Sequence, residues 1–381
     1  MDALTTPLPK DWEVKTFRDI STINQGLQIP ISQRLKVPTE HAKFYITIQA
    51  LNNRKEFEYI KTYNESVVCH KDDILMTRTG NTGMVITNIE GVFHNNFFKI
   101  NFDRTLINKD FLVYFLSLEQ TQKTILRKAG TSTIPDLNHN DFYSLSIPLP
   151  PLNEQIAIAN ILSALDRYLY SLDALILKKE SVKKALSFEL LSQRKRLKGF
   201  NQAWQRVRLG DIAEIKRGVR ITKNELDVFG KYPVVSGGVG FLGYTNNFNR
   251  YENTITIAQY GTAGFVNWQN QKFWANDVCF CVYPNKDVIK NIFLYYFLKV
   301  NQNYLYEISN RNATPYSISK DKILDFEIPL PPLNEQIAIA NILSTLDNEI
   351  TSLKNKKRQF ENIKKALNHD LMSAKIRVLK K

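Results

Sequence analysis

The sequence predicts an α+β chain: two similar mixed α/β domains separated by two long helices that form an antiparallel coiled coil, the whole arranged about a pseudo-twofold. Three observations predict it. Residues 147–166 (IPLPPLNEQIAIANILSALD) recur at 328–347 (IPLPPLNEQIAIANILSTLD), with nineteen of twenty positions identical at an offset of 181. Each copy runs into apolar residues at alternating four- and three-residue spacing, the pattern of a coiled-coil seam. The segments before each copy share a sparse frame. Trp12…Asp19-Ile20…Gly26 resembles Trp204…Asp211-Ile212…Gly218 at an offset of 192, and Met76–Val85 pairs with Ile257–Val266 at 181, which places 11 extra residues between Gly26 and Met76. A repeat on this scale sets the architecture before any single element does. The boundaries that follow are 1–146 and 199–327 for the domains, and 147–198 and 328–381 for the helical blocks.

Each helical block opens on Pro-Leu-Pro-Pro, which cannot be helical throughout and reads as an extended lead-in. A helix starts near Leu152 and again near Leu333, with Asn153 and Glu154 suiting the positive end of its dipole. The stretch Ile156–Leu162 is apolar nearly all round, so it is covered on more than one side. Beyond it the seam runs Leu165, Leu169, Leu172, Ile176, Lys179, Val182, Leu186, Leu190, and in the second helix Leu346, Ile350, Leu353, Lys357, Phe360, Ile363, Leu367, Leu371. Lys179 and Lys357 weaken it, and separate packing of each helix on its own domain is the competing arrangement. From Asp166 to Lys198 such a helix is about 50 Å long, roughly 15 base pairs of duplex.

Within the domains, Thr254–Ala258 and Val278–Tyr283 are rich in β-formers and read as strands. Short helices are expected at 109–128 and 288–306. The loops carry the chemistry. In the first domain the loop is Thr77, Arg78, Thr79, Gly80, Asn81, Thr82, Gly83. In the second the loops are Arg217 to Arg220, Ser236, Gly237, Gly238, and Gln259, Tyr260, Gly261, Thr262. Arg and Gln can make bidentate contacts with guanine and adenine, and hydroxyls and loop N–H groups suit phosphates. Thr131-Ser132-Thr133 and Asn312-Ala313-Thr314 are weaker candidates. For any single residue, an ordinary glycine turn is the competing reading. The DNA-binding set is therefore Thr77, Arg78, Thr79, Asn81, Thr82, Arg217, Arg220, Ser236, Gly237, Gly238, Gln259, Tyr260 and Thr262.

The net charge of +14 also points to a polyanionic partner. It is concentrated on the helices: residues 166–198 hold nine basic and four acidic residues, 347–381 hold ten and four, and 1–165 are balanced. No catalytic constellation is visible. Gly238-Val239-Gly240-Phe241-Leu242-Gly243 matches the dinucleotide fingerprint, but Tyr-Thr-Asn-Asn follows where a helix should open. Cys279 and Cys281 lack the second pair a metal site needs and read as a buried structural pair. No metal ligands and no catalytic residues are assigned. The cysteine usage, the absence of a secretory signal in the first seven residues and the lack of a 20-residue apolar run point to a cytoplasmic protein with no membrane contact.

On the duplicated I-P-L-P-P-L-N-E-Q-x-x-I…L-x-x-L-D block, the Trp…Asp-Ile…Gly openings and the Tyr232–Gly238…Gly243-Tyr244-Thr245 stretch, the chain resembles the specificity subunit of type I restriction–modification systems over essentially its whole length. The resemblance implies two target-recognition domains, each reading half of a bipartite, asymmetric double-stranded DNA target, and a noncatalytic role. It implies helices that set the spacing and dock two methyltransferase subunits, with restriction/translocase subunits joining for cleavage. It places S-adenosylmethionine, and ATP with Mg for restriction, on those partners and no cofactor on this chain. The twice-repeated apolar helix start independently suggests one partner bound twice, through Leu152, Asn153, Glu154, Gln155, Ile156 and Leu333, Asn334, Glu335, Gln336, Ile337. Packing of both faces on the chain's own domains is the alternative there. For the chain as a whole, the alternatives are a methylation-only or type IIB-like system and a coiled-coil interaction scaffold.

Overall fold

Strands form where β-branched and aromatic residues run without interruption, and the most central are buried on both faces. Thr254–Ala258 and Cys279–Val282 are buried throughout, as expected of strands covered on each side. A computed structural model of the chain describes residues 8–52, 57–312 and 314–379. The first seven residues and Ala313, invoked above, lie outside the described residues.

The chain packs as two units. One holds residues 1–172 and 356–381, the other 173–355. Both long helices are continuous for 40 residues, Leu152–Leu191 and Leu333–Met372, so each unit takes part of both. In this respect the packing cuts across the boundaries drawn along the sequence. The helices end at Leu191 and Met372, short of Lys198. Gln193 and Ala374, at equivalent positions just beyond, take left-handed backbone with φ of 62° and 56°, a common way to stop a helix.

In the first unit a four-stranded antiparallel sheet runs in the order Ser21–Gln25, Phe97–Phe102, Ile74–Thr77, Val85–Ile86. In the second unit the matching sheet runs Ala213–Arg217, Cys279–Pro284, Thr254–Ala258, Val266–Gln269. In both, the proline-rich lead-in is a strand: Ser146–Leu149 pairs with Glu13–Thr16, and Glu327–Leu330 with Gln205–Arg208. The units differ in their second sheet, five-stranded in the first and three-stranded in the second, where the extra residues between Gly26 and Met76 are spent. The expected short helices are each broken in two, at Lys109–Leu116 and Glu119–Ala129 and at Asn291–Val300 and Gln302–Glu307.

The helices build the cores. Ile158, Leu162, Leu371 and Met372 pack with Phe17, Phe98, Phe111 and Phe142 in the first unit. Leu190, Leu191, Ile339 and Leu343 pack with Leu209, Ile257, Phe293 and Phe297 in the second. The helices pair antiparallel within each unit. Lys364 reaches Asp166 and Tyr168 meets Phe360 at 4.7 Å between ring centroids. In the second unit Lys183 reaches Asp347, with Lys179–Glu349 and Lys354–Glu180 both at 2.6 Å. The seam departs from its sequence pattern at one level. Val182 and Ile363, equivalent positions, are 40% and 50% exposed, and the neighbouring Lys183 and Lys364 turn inward to their aspartates instead. Among the described residues, no helix is long and apolar enough to cross a membrane.

Candidate nucleic-acid interface

Both units build the same glycine turn after their central strand. Gly80 and Gly83 in one, Gly261 and Gly264 in the other, all take φ between 75° and 91°, a region open to glycine at little cost. The turn closes identically: Gly83 N–H donates to Thr77 O at 2.8 Å and Gly264 N–H to Ala258 O at 2.9 Å. Each turn is stitched to a later segment of its own unit, Thr79 against Asp136 and Tyr260 against Ser317.

The side chains on this shared frame diverge. In the first unit several predicted contacts are consumed internally. Thr77 is buried; its hydroxyl donates to Asn81 O and accepts from Met84 N–H at 2.9 Å. Thr82 is buried and donates to Pro135 O at 2.6 Å. Arg78 pairs with Asp136 at 2.7 Å and lies over the Phe98 ring, and Thr79 donates to the same carboxylate. Thr77 and Thr82 therefore hold the turn in shape from inside, which corrects their assignment as DNA contacts, while Arg78 and Thr79 share the Asp136 carboxylate at the half-buried edge of the turn. Asn81 and Thr131–Thr133 remain exposed.

In the second unit four segments converge. Thr262 donates through both N–H and hydroxyl to Gly237 O, at 2.9 and 2.7 Å. A Cβ at Gly237 would lie 2.3 Å from Tyr260 O, so only glycine fits there. Asn276 joins the Arg217–Arg220 segment to the Ser236 loop: its amide donates to Ser236 Oγ at 3.2 Å, and its oxygen accepts from Ile221 N–H at 3.2 Å. The fourth segment is the turn in which Asn310 and Ser317 exchange backbone hydrogen bonds, and Tyr316 O accepts Gly261 N–H at 3.1 Å. Gly238 and Arg220 are exposed, and so is Arg217, whose Nε donates to Asp277 O. Tyr260 is half-buried. Gln259 is half-buried with its Oε1 buried and unpartnered, so it presents no bidentate edge outward. Sequence reasoning singled out Asn312–Thr314 in the last turn and passed over Arg311 beside it. The fingerprint-like Gly238–Gly243 run leads into strand Phe241–Thr245, with no helix.

The repeated helix start divides by face. Glu154, Gln155, Glu335 and Gln336 are buried. Trp12 Nε1–H donates to Glu154 at 3.0 Å and Trp204 Nε1–H to Glu335 at 2.9 Å. Arg377 and Arg196 ion-pair with the same carboxylates at 2.7 and 2.6 Å. Gln155 bridges Asn108 N–H, Leu106 O and Pro150 O; Gln336 bridges Lys290 N–H, Val288 O and Pro331 O. These four side chains are locked inside the units and cannot meet a partner, contrary to their assignment. Asn153, Ile156 and Asn160 stay exposed, as do Asn334, Ile337 and Asn341, with Ile156 and Ile337 at 41% and 44%. Leu152 and Leu333 are half-buried.

The family described as the type I restriction modification DNA specificity domain matches residues 9–179 and again residues 201–362. The chain is 26% identical to the type I restriction enzyme MjaVIII specificity subunit of Methanocaldococcus jannaschii, over 97% of this chain and 94% of that one. Its fold is similar to the crystal structure of the type I restriction–modification S subunit from M. genitalium, at a TM-score of 0.69, 21% identity and coverage of 96% and 98% of the two chains. It is also similar, at a TM-score of 0.56 and 16% identity over 96% and 99%, to a chain solved for the structural basis of complex assembly and conformational transition of the type I restriction–modification system. With the profile matching once in each unit and relatives aligned end to end, the chain belongs to the type I restriction–modification DNA specificity family.

Proposed function

We propose that each unit reads one half of a bipartite, asymmetric DNA target while the two helix starts dock one methyltransferase subunit each, the long helices setting the gap between the half-sites. One observation carries this reading. The same exposed face, Asn153-Ile156-Asn160 and Asn334-Ile337-Asn341, stands on both helix starts, whereas the loops on the shared glycine turn differ in every side chain that could touch a base. Equivalent faces suit two copies of one partner; unlike loops suit two unlike half-sites. In this reading S-adenosylmethionine sits on the methyltransferase subunits, ATP and Mg on restriction subunits that join for cleavage, and this chain supplies recognition.

The test is co-expression with a methyltransferase subunit, followed by sequencing of adenine methylation across the host genome. The expected result is one bipartite motif with unlike halves, written only when both chains are present. Methylation without this chain, or a motif with a single block, overturns the reading. Purified complex should also lose affinity steeply with added salt, because phosphate contacts release counterions.

A further inference from the structure

We infer that Arg311 reads a guanine in the half-site bound by the second unit; this rests on the DNA-reading role above and names its chemistry. Arg311 is exposed. Its guanidinium carbon lies 5.1 Å from the Tyr306 ring centroid and 5.0 Å from that of Tyr316. Its Nε–H donates to Tyr306 O at 3.0 Å. The plane is thus set by two rings and one hydrogen bond, and among the described residues no hydrogen bond engages the two terminal nitrogens. An arginine held in this way keeps its planar fork pre-organised, so little rotamer freedom is lost when it engages a pair of acceptors.

The support behind it is itself fixed. Tyr306 accepts a hydrogen bond from Gln302 Nε2 at 2.6 Å, and Gln302 Oε1 accepts Val266 N–H at 3.0 Å. Tyr316 is tied through its carbonyl to Gly261. Arg311 therefore stands on the cluster where the Gly237 and Gln259–Thr262 loops meet. Guanine O6 and N7 are the acceptor pair in the major groove that matches such a fork. The first unit offers a contrast on the same frame: its turn arginine, Arg78, is taken up by Asp136. The guanine contact accordingly belongs to one half-site only.

The experiment compares wild type, Arg311→Gln and Arg311→Lys, each co-expressed with the methyltransferase subunit, by genome-wide methylation motif and by melting temperature. Arg311→Gln is expected to melt as wild type and to lose about tenfold or more of the preference for guanine at one position of one half-site. The other half-site stays intact. Arg311→Lys, which keeps the charge and loses the fork, should relax the same position. If both variants write the wild-type motif, the guanine contact is refuted. If Arg311→Gln lowers methylation equally at every sequence and Arg311→Lys restores it, the group contacts phosphate and base reading is refuted. If wild type itself writes no bipartite motif, the recognition role falls and the guanine contact with it.

Discussion

Arg196 and Glu335 show what single residues do at the joints of this chain. Glu335 is buried, and its carboxylate is held by Arg196 Nε and Nη2 at 3.2 and 2.6 Å and by Trp204 at 2.9 Å. Removing one partner of a buried pair leaves an uncompensated charge, which costs about 3–5 kcal/mol. Arg196→Ala is therefore expected to lower the melting temperature of its unit by roughly 6–20 °C at 2–4 °C per kcal/mol. Adding Glu335→Gln should recover part of that, because the orphaned charge is gone; a double variant no more stable than Arg196→Ala would refute the pairing. Arg377 plays the same part in the first unit, with Asp11 as a further partner at 3.0 Å. None of this was legible beforehand. Glu154 and Glu335 sit in a first helical turn, where an acid already has a reason to be, and the arginine each one meets is 223 and 139 residues away in the chain, brought to it only by the fold. The thiols were easier. Cys69, Cys279 and Cys281 are all free and buried, and burial pushes the Cys69 thiol up to about 12. A disulfide-exchange reagent at pH 8 should titrate no thiol in the native chain and three in denaturant; rapid native reaction of any would contradict the burial.

At the scale of elements, the two long helices were the most legible part, because a 19-of-20 repeat followed by apolar spacing admits few other structures. The seam was less so. Spacing alone puts Val182 and Ile363 inside, yet Lys183 and Lys364 take the inward place, each bonding an aspartate that also accepts from a tyrosine. Tyr296 donates to Asp347 at 2.8 Å and Tyr114 to Asp166 at 2.7 Å. Burial, with the aspartate beside it, raises both phenols above their ordinary range. A periodicity count assigns lysine outward because it cannot see a carboxylate and a phenol supplied by other elements. The loops were legible as glycine turns and no further, since the same Thr or Arg can face solvent or close the turn. These ion pairs also show where the helices can be lengthened. An added heptad after Leu172 in one helix and after Asn355 in the other falls where each passes from one unit to the next and leaves every named pair intact. Each heptad adds about 10.5 Å, roughly three base pairs. The methylated motif should keep both halves and gain about three unread positions; an unchanged gap would show that the helices are not the ruler.

At the scale of the molecule, charge and recognition separate. The basic excess lies on residues 166–198 and 347–381, while residues 1–165 are neutral. Several helix lysines are already spent on carboxylates of the chain itself. On the proposed reading, long-range attraction and base contacts fall on different surfaces, and the isolated chain should bind duplex weakly, with affinity falling steeply in salt; tight sequence-specific binding by the chain alone at physiological salt would contradict this. The same separation makes the halves exchangeable. The first unit's core is closed by Ile158, Leu162, Leu371 and Met372 from the helices, and its glycine turn and the 131–133 loop lie within residues 12–146. A domain from another member of the family grafted over 12–146 needs to keep the Trp12 indole that meets Glu154 and the Asn108 amide that meets Gln155. With those retained, the graft should seat on unchanged helices. Methylome sequencing of such a chimera is then expected to show one half-site replaced, with the other half and the gap preserved. A change in both halves would mean that the two units read DNA as one surface, and modular recognition would be refuted.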